Sequence, residues 1–156
     1  MKLVLNTSPL IFLTKIDALT TLGGCFAEIF VPPAVLAEAG IEVPGFIKPT
    51  ALSELGEAFV RGAIGGLHRG ELEAMILARE TGAGLVALDD LRARRKASQL
   101  GLRPIGTVGL ILLAHRRGLI DAATAATKIE TLVDTHGLYL SSEILNQVRA
   151  DLAHSR

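Results

Sequence analysis

The sequence predicts an α/β fold whose central parallel sheet is covered by helices on both faces. Short β-prone runs alternate along the chain with segments of helical period, the order that builds parallel sheets. Leu85 to Leu88 is apolar without interruption, as a strand buried on both faces requires. Hydrophobic residues make up 49% of the chain and aromatic residues only 4%, so the core is one of Leu, Ile, Val and Ala rather than an aromatic-rich β sandwich. At 156 residues, a single domain spanning 1–156 is expected, large enough to bury a sizeable core.

The elements follow in order. Lys2 to Leu5 is a strand, ended by the turn formers Asn6, Thr7, Ser8 and Pro9. Ser8 caps a helix that carries Pro9 in its first position and continues through Leu10, Ile11 and Leu13. Glu28 to Val31 is a second strand, stopped by Pro32 and Pro33, and Pro33 starts a helix through Val35, Leu36 and Glu38. Residues 40–49 contain Gly40, Pro44, Gly45 and Pro49 and are expected to be loop. A helix follows, from about Ala51 to Ala63, and Gly65 and Gly66 break the chain after it. Over residues 70–81, Leu72, Met75, Ile76 and Arg79 recur at helical spacing, with Gly82 as C-cap. Leu85 to Leu88 is the third strand, Leu91 to Leu100 a basic helix, and Arg103 to Ile105 the fourth strand. Thr107 caps a helix that is apolar nearly all round from Val108 to Ala114, which predicts deep burial. Asp121 caps the next helix, which Gly137 terminates; Ser141 or Ser142 opens the last, with Ile144, Leu145, Val148 and Leu152 as its stripe.

The formal net charge is zero, so any nucleic-acid binding has to rest on local patches. Cys25 is the sole cysteine, which excludes an internal disulfide and fits a reducing compartment. It reads as a buried structural thiol rather than a nucleophile. The apolar start after Lys2 is interrupted at Asn6 to Pro9, and no segment approaches the ~20 apolar residues that span a bilayer. A cytoplasmic protein with no membrane segment is expected.

Acidic and amide side chains stand at the ends of apolar segments: Asn6 after the first strand, Asp89 and Asp90 after the third. Ligands of parallel sheets bind outside the carboxyl ends of the strands, which puts these residues at that edge. Glu38 and Glu71 lie on helices and join them only if those helices cross the same edge. Carboxylates gathered in one place repel unless a divalent cation neutralises them, and hard oxygen donors suit Mg2+ or Mn2+. Each residue also has a plain structural reading. Glu71 in the first turn of a helix suits the macrodipole, one of the aspartates can cap the helix at Leu91, and Asn6 can be a turn residue. Glu38, near a helix end before Gly40, is poorly placed for the dipole. If the strand runs through both aspartates, only one of them faces a cation.

The basic cluster Arg92, Arg94, Arg95 and Lys96 is either a solvated helix face, with Asp90 and Arg94 spaced as an ion pair, or a guide for a phosphate backbone. His115, Arg116 and Arg117 suit the C-terminus of a helix. His68 has no second His or Cys at zinc-ligand spacing and reads as a loop residue. Paired aspartates at a strand end also serve phosphoacceptor domains, but those carry the pair after the first strand.

NTSPLI at 6–11, VPPAV with Glu38, RGELEA at 69–74, DDLRAR at 89–94 and PIGTVGLI at 104–111 together resemble a branch of the PIN-domain superfamily, in order from residue 3 to about 150. The resemblance implies a three-layer α/β/α sandwich, an acidic pocket holding one or two Mg2+ or Mn2+ ions, and a metal-dependent ribonuclease. Many members look like VapC-like toxins of type II toxin–antitoxin pairs, each held inactive by a small antitoxin protein, and a homodimer is expected. Carried over by position, the catalytic set is Asn6, Glu38, Glu71 and the pair Asp89 and Asp90. The metal ligands are Asn6, Glu38, Glu71 and Asp90, and Ser8, Arg92, Arg94 and Arg95 are candidates to touch RNA. Asn6 departs from the Asp usual in the superfamily, although this branch often carries Asn. It offers a carbonyl oxygen without charge, which lowers metal affinity and disfavours a second ion. The competing reading is therefore a catalytically weakened module that binds RNA or protein.

Overall fold

A computed structural model describes residues 1–63 and 67–155. The expected break at Gly65 and Gly66 lies outside the described residues. Strands β1 (Lys2–Leu5), β2 (Glu28–Val31), β3 (Ile47–Pro49), β4 (Leu85–Ala87) and β5 (Arg103–Ile105) form one sheet in the order β3-β2-β1-β4-β5. Every pairing is parallel. The helices are α1 (Thr7–Lys15), α2 (Pro33–Ala39), α3 (Glu54–Ala63), α4 (Arg69–Thr81), α5 (Leu91–Gln99), α6 (Thr107–Arg116), α7 (Ala122–Asp134) and α8 (Ser142–His154), with a 3-10 turn at Thr20–Gly24.

Alternation along the central strand divides the core in two. Leu3, Leu5, Ile29, Val31 and Ala87 face a large cluster built with α1, α6, α7 and α8. Val4, Phe30 and Val86 face the other way, against Ala74, Met75 and Leu77 of α4 and Ala93 and Ala97 of α5. The result is the expected α/β sandwich, three layers with the sheet in the middle.

Several elements differ from the sequence reading for definable reasons. β3 lies inside the segment expected to be loop. Its Ile47 pairs with Ile29 and is 2% exposed, while Pro49 closes an edge strand, where a missing N–H does little harm. Helix α1 starts at Thr7 with Asn6 in the cap position, so Ser8 is not the cap and Pro9 falls in the first turn. α3 begins at Glu54, where the Ser53 hydroxyl accepts the Gly56 N–H at 3.0 Å. Gly106, not Thr107, is the N-cap of α6; the Thr107 hydroxyl is engaged elsewhere. The most enclosed helix is α4 rather than α6: it lies between the sheet and α3, and only its first residue, Arg69, and its end from Arg79 emerge. On α8, Val148 and Leu152 are buried, but Ile144 leaves the stripe and is exposed.

Candidate functional site

Strands β1 and β4 are neighbours, with Leu5 opposite Ala87, so the residues just beyond them emerge side by side. The Asn6 N–H donates to the Ala87 carbonyl at 3.3 Å. Asn6 sits in the cap position of α1, but its side chain makes no capping hydrogen bond. That amide is 6% exposed and borders a cavity of about 810 Å³.

Helix α2 packs on α1 and brings Glu38 to the same cavity, where its Oε2 accepts the Thr7 hydroxyl at 3.2 Å. α4 contributes Glu71. Here His68 is the N-cap: its Nδ1 accepts the Gly70 N–H at 3.4 Å, while Glu71 Oε1 accepts the His68 N–H at 3.0 Å. This reciprocal capping box fixes the start of α4. Gly70 makes the convergence possible. A Cβ there would stand 3.3 Å from Glu38 Oε2, 3.6 Å from Asn6 Oδ1 and 3.7 Å from His68 Nδ1. Three polar atoms from three elements therefore meet over a residue without a side chain. Asp90 completes the set: it caps α5, with Oδ2 accepting the Ala93 N–H at 2.9 Å, and it also lines the cavity.

The electrostatics distinguish this site from a plain helix start. A carboxylate serving only the macrodipole has its charge stabilised. The Glu71 carboxyl is instead raised above its ordinary value, first by burial and then by the nearby charges of Asp90 and Glu38, against the lowering effect of the His68 N–H.

The adjacent aspartates divide. Successive extended residues face opposite ways, and Asp89 turns from the cavity toward α6. Its carboxylate accepts the Thr107 N–H at 2.8 Å, the Thr107 hydroxyl at 2.7 Å and the Ser8 hydroxyl at 3.3 Å. The structure thus brings Asn6, Ser8, Glu38, Glu71, Asp90 and Arg92 to one cavity and leaves Asp89 outside its lining. The Asp90–Arg94 ion pair that the solvated-face reading offered does not form among the described residues. Arg94 reaches the Asp89 corner, its Nη1 lying 3.3 Å from where a Gly106 Cβ would be, the same distance as Asp89 Oδ1. Arg95 lies on the outer face of α5.

Several lining residues were not assigned to the site in the sequence, Phe12, Lys15, His68 and His136 among them. Phe12 and Lys15 share a face of α1 with Ser8 at helical spacing, a signal that was available once Ser8 had been singled out. His136 arrives from the loop after α7, and nothing local marks it. His68, read as a loop residue, is the cap described above, with Nδ1 3.8 Å from Glu38 Oε2.

Among the described residues no three His, Cys, Asp or Glu side chains already stand as a metal-holding group. One of the four positions is the amide of Asn6, and Glu71 and Asp90 each turn one oxygen onto a backbone N–H.

A family model described as PIN domain matches residues 2–154. The chain belongs to the PIN domain family. Proteins of this family are generally nucleases that use a divalent metal. The fold of this PIN domain is similar to that of a PilT N-terminus domain protein from the hyperthermophilic archaeon Sulfolobus solfataricus P2, with TM-score 0.53 and 22% identity, over 73% of this chain and 93% of that one. No curated protein matches the sequence. Among the described residues of the PIN domain, no helix is long and apolar enough to cross a membrane.

Proposed function

We propose that this PIN domain is a metal-dependent ribonuclease that hydrolyses a phosphodiester bond at the cavity, acting as a single domain over residues 1–156. The observation that carries the reading is the meeting of Asn6, Glu38, Glu71 and Asp90, from four separate stretches of chain, around one open cavity. Their chemistry fits a hard divalent cation, Mg2+ or Mn2+, because every donor is an oxygen. Glu71 and Asp90 each keep a second carboxylate oxygen without a protein donor among the described residues. A cation held there would supply the positive charge that lets an attacking water approach an anionic phosphodiester and that stabilises the leaving oxygen.

The chain's own residues do the positioning. Thr7 holds Glu38, the His68 N–H holds Glu71, and the start of α5 holds Asp90. Ser8, Lys15 and Arg92 border the acidic floor with a hydroxyl and two cations that suit phosphate oxygens.

The toxin role in a type II toxin–antitoxin pair is drawn from the family resemblance. It is supported by exposed Leu55 and Phe59 on α3, an apolar surface of the kind a small antitoxin protein covers. Exposed Tyr139 and Ile144, beside the groove at β5, support a homodimer in the same way. One observation favours the second reading, a weakened module that binds RNA or protein: Asn6 removes a charge from the best-buried position of the set.

Calorimetric titration of Mn2+ into the wild type and into a Glu71→Gln, Asp90→Asn double variant separates the two readings. Saturable binding that the variant loses, together with metal-dependent cleavage of RNA by the wild type, is expected. A wild type that binds no Mn2+ would remove the nuclease reading and favour the module.

A further inference from the structure

Helix α5 carries a second feature that the acidic cavity uses only at Arg92. Arg92, Arg95, Lys96 and Gln99 follow one another at i, i+3, i+4 and i+7, so they share one face of the helix. A shallow groove runs along that face, lined by these four residues and Leu67. Leu67 and Arg92 also line the acidic cavity, so the two depressions adjoin. On the other flank of α5, a groove lined by Leu91, Arg94, Ser98 and Pro104 also touches Arg95 and Gln99, but it shares no residue with the cavity.

A merely solvated helix accounts poorly for this face. α5 has no acidic residue from Leu91 to Gln99, and none of its cations lies within 4.0 Å of a carboxylate among the described residues. Arg92 stands in the first turn, where the macrodipole disfavours positive charge. Lys96, in the last turn, is the one cation there that the dipole explains.

We propose that the α5 face of Arg92, Arg95, Lys96 and Gln99 is a track for the phosphate backbone of single-stranded RNA whose adjoining segment lies in the acidic cavity. The inference rests on the ribonuclease reading and extends it. Arg92 is the junction, Arg95 and Lys96 take the next phosphates outward, and Gln99 offers a neutral donor at the end. One helix thus delivers Asp90 to the cavity at its start and leads the strand away along its length. Arg94 is not part of the track, because it turns to the Asp89 corner.

The test is fluorescence anisotropy with 2′-O-methyl RNA, checked by gel to be intact after each titration, in Mn2+ buffer over a KCl series. A dinucleotide fills only the cavity, whereas an octanucleotide also reaches the track. The wild type should show a steeper salt dependence for the octanucleotide. In an Arg95→Gln, Lys96→Gln variant, losing two single-strand contacts of ~0.7 each in logarithmic slope should flatten that dependence by about 1.4. Near 0.1 M salt the same loss corresponds to roughly 25-fold weaker octanucleotide binding, with the dinucleotide unchanged. Arg94→Gln should change neither. An octanucleotide slope unaltered in the double variant overturns the track, and polyglutamate binding that is lost there while RNA binding persists reassigns the face to an acidic protein. A wild type that binds both oligonucleotides with one slope also removes the track but leaves the cavity reading standing. Binding of neither removes the ribonuclease reading itself, and the track with it.

Discussion

Replacing Asp89 and Asp90 one at a time by Ala should give opposite patterns in stability and metal binding. Asp89 accepts three hydrogen bonds, two of them from Thr107, which is fully buried at the first position of α6. Without the carboxylate, the Thr107 N–H and hydroxyl lose a charged acceptor in a place water does not reach. Hydrogen bonds to charged groups are worth about 1.5 kcal/mol or more each, and the longer, half-buried Ser8 contact adds about 0.5 kcal/mol. Asp89→Ala should therefore destabilise by about 3–4 kcal/mol, a fall in Tm of roughly 10 °C for a chain of this size. Asp90 is exposed and its one protein hydrogen bond is a helix cap, so Asp90→Ala should cost about 1 kcal/mol. Urea unfolding in chelator measures both. Mn2+ calorimetry on the same proteins should find binding impaired in Asp90→Ala and retained by folded Asp89→Ala. Equal destabilisation by the two substitutions, or Mn2+ affinity that falls only in Asp89→Ala, would refute the division of the pair.

Gly70→Ala improves helix propensity, yet its Cβ would press on Glu38 Oε2 at 3.3 Å. Urea midpoints unchanged or raised, with weaker Mn2+ binding by calorimetry, are expected. Glu71→Gln keeps an acceptor for the His68 N–H while removing the carboxyl whose folded pKa is raised. A raised folded pKa means that the contribution of Glu71 to stability is complete below its unfolded value and is lost as pH rises through the folded value. In chelator the Gln variant should therefore gain on the wild type at neutral pH, and the gain should vanish below about pH 4.5 in a urea series. Burial raises the Cys25 thiol, so maleimide labelling of native protein should be at least ~100-fold slower than of protein in denaturant.

Legibility followed locality. β1, β2 and the helix after Pro32 were readable because apolar runs and prolines act within a few residues, and Asn6 and Asp90 were placed at the sheet edge by the same signals. β3 was not readable: three residues ending in proline carry no strand pattern, and only pairing with β2 makes them one. Thr107 followed the rule for a cap, but Asp89, 18 residues earlier, took its hydroxyl instead. The meeting of Glu38 with Glu71 depends on α2 packing against α4 and on the missing side chain of Gly70, both tertiary facts. His136 illustrates the limit, since no spacing in the sequence relates it to a cavity that begins at Asn6.

Where position 6 lies sets what a charge there would cost. Of the four proposed donors it alone is buried, at 6% exposure, and its Oδ1 shares the space above Gly70 with Glu38 Oε2. A carboxylate there would lose its hydration and face the charges that already raise Glu71. A buried carboxylate left without a donor costs about 1–3 kcal/mol, so Asn6→Asp should be less stable by about that much at neutral pH in chelator. The sign reverses with the cation. Mn2+ at about 100 times its dissociation constant stabilises a binding protein by about 2.7 kcal/mol, and the added charge should tighten that constant. Asn6→Asp should therefore unfold at lower urea than the wild type in chelator and recover most of the difference in saturating Mn2+. A variant as stable as the wild type in chelator, or no more responsive to Mn2+, would mean that position 6 does not face the other carboxylates electrostatically. The amide would then be a turn residue that happens to border the cavity, rather than the neutral member of an oxygen-donor set.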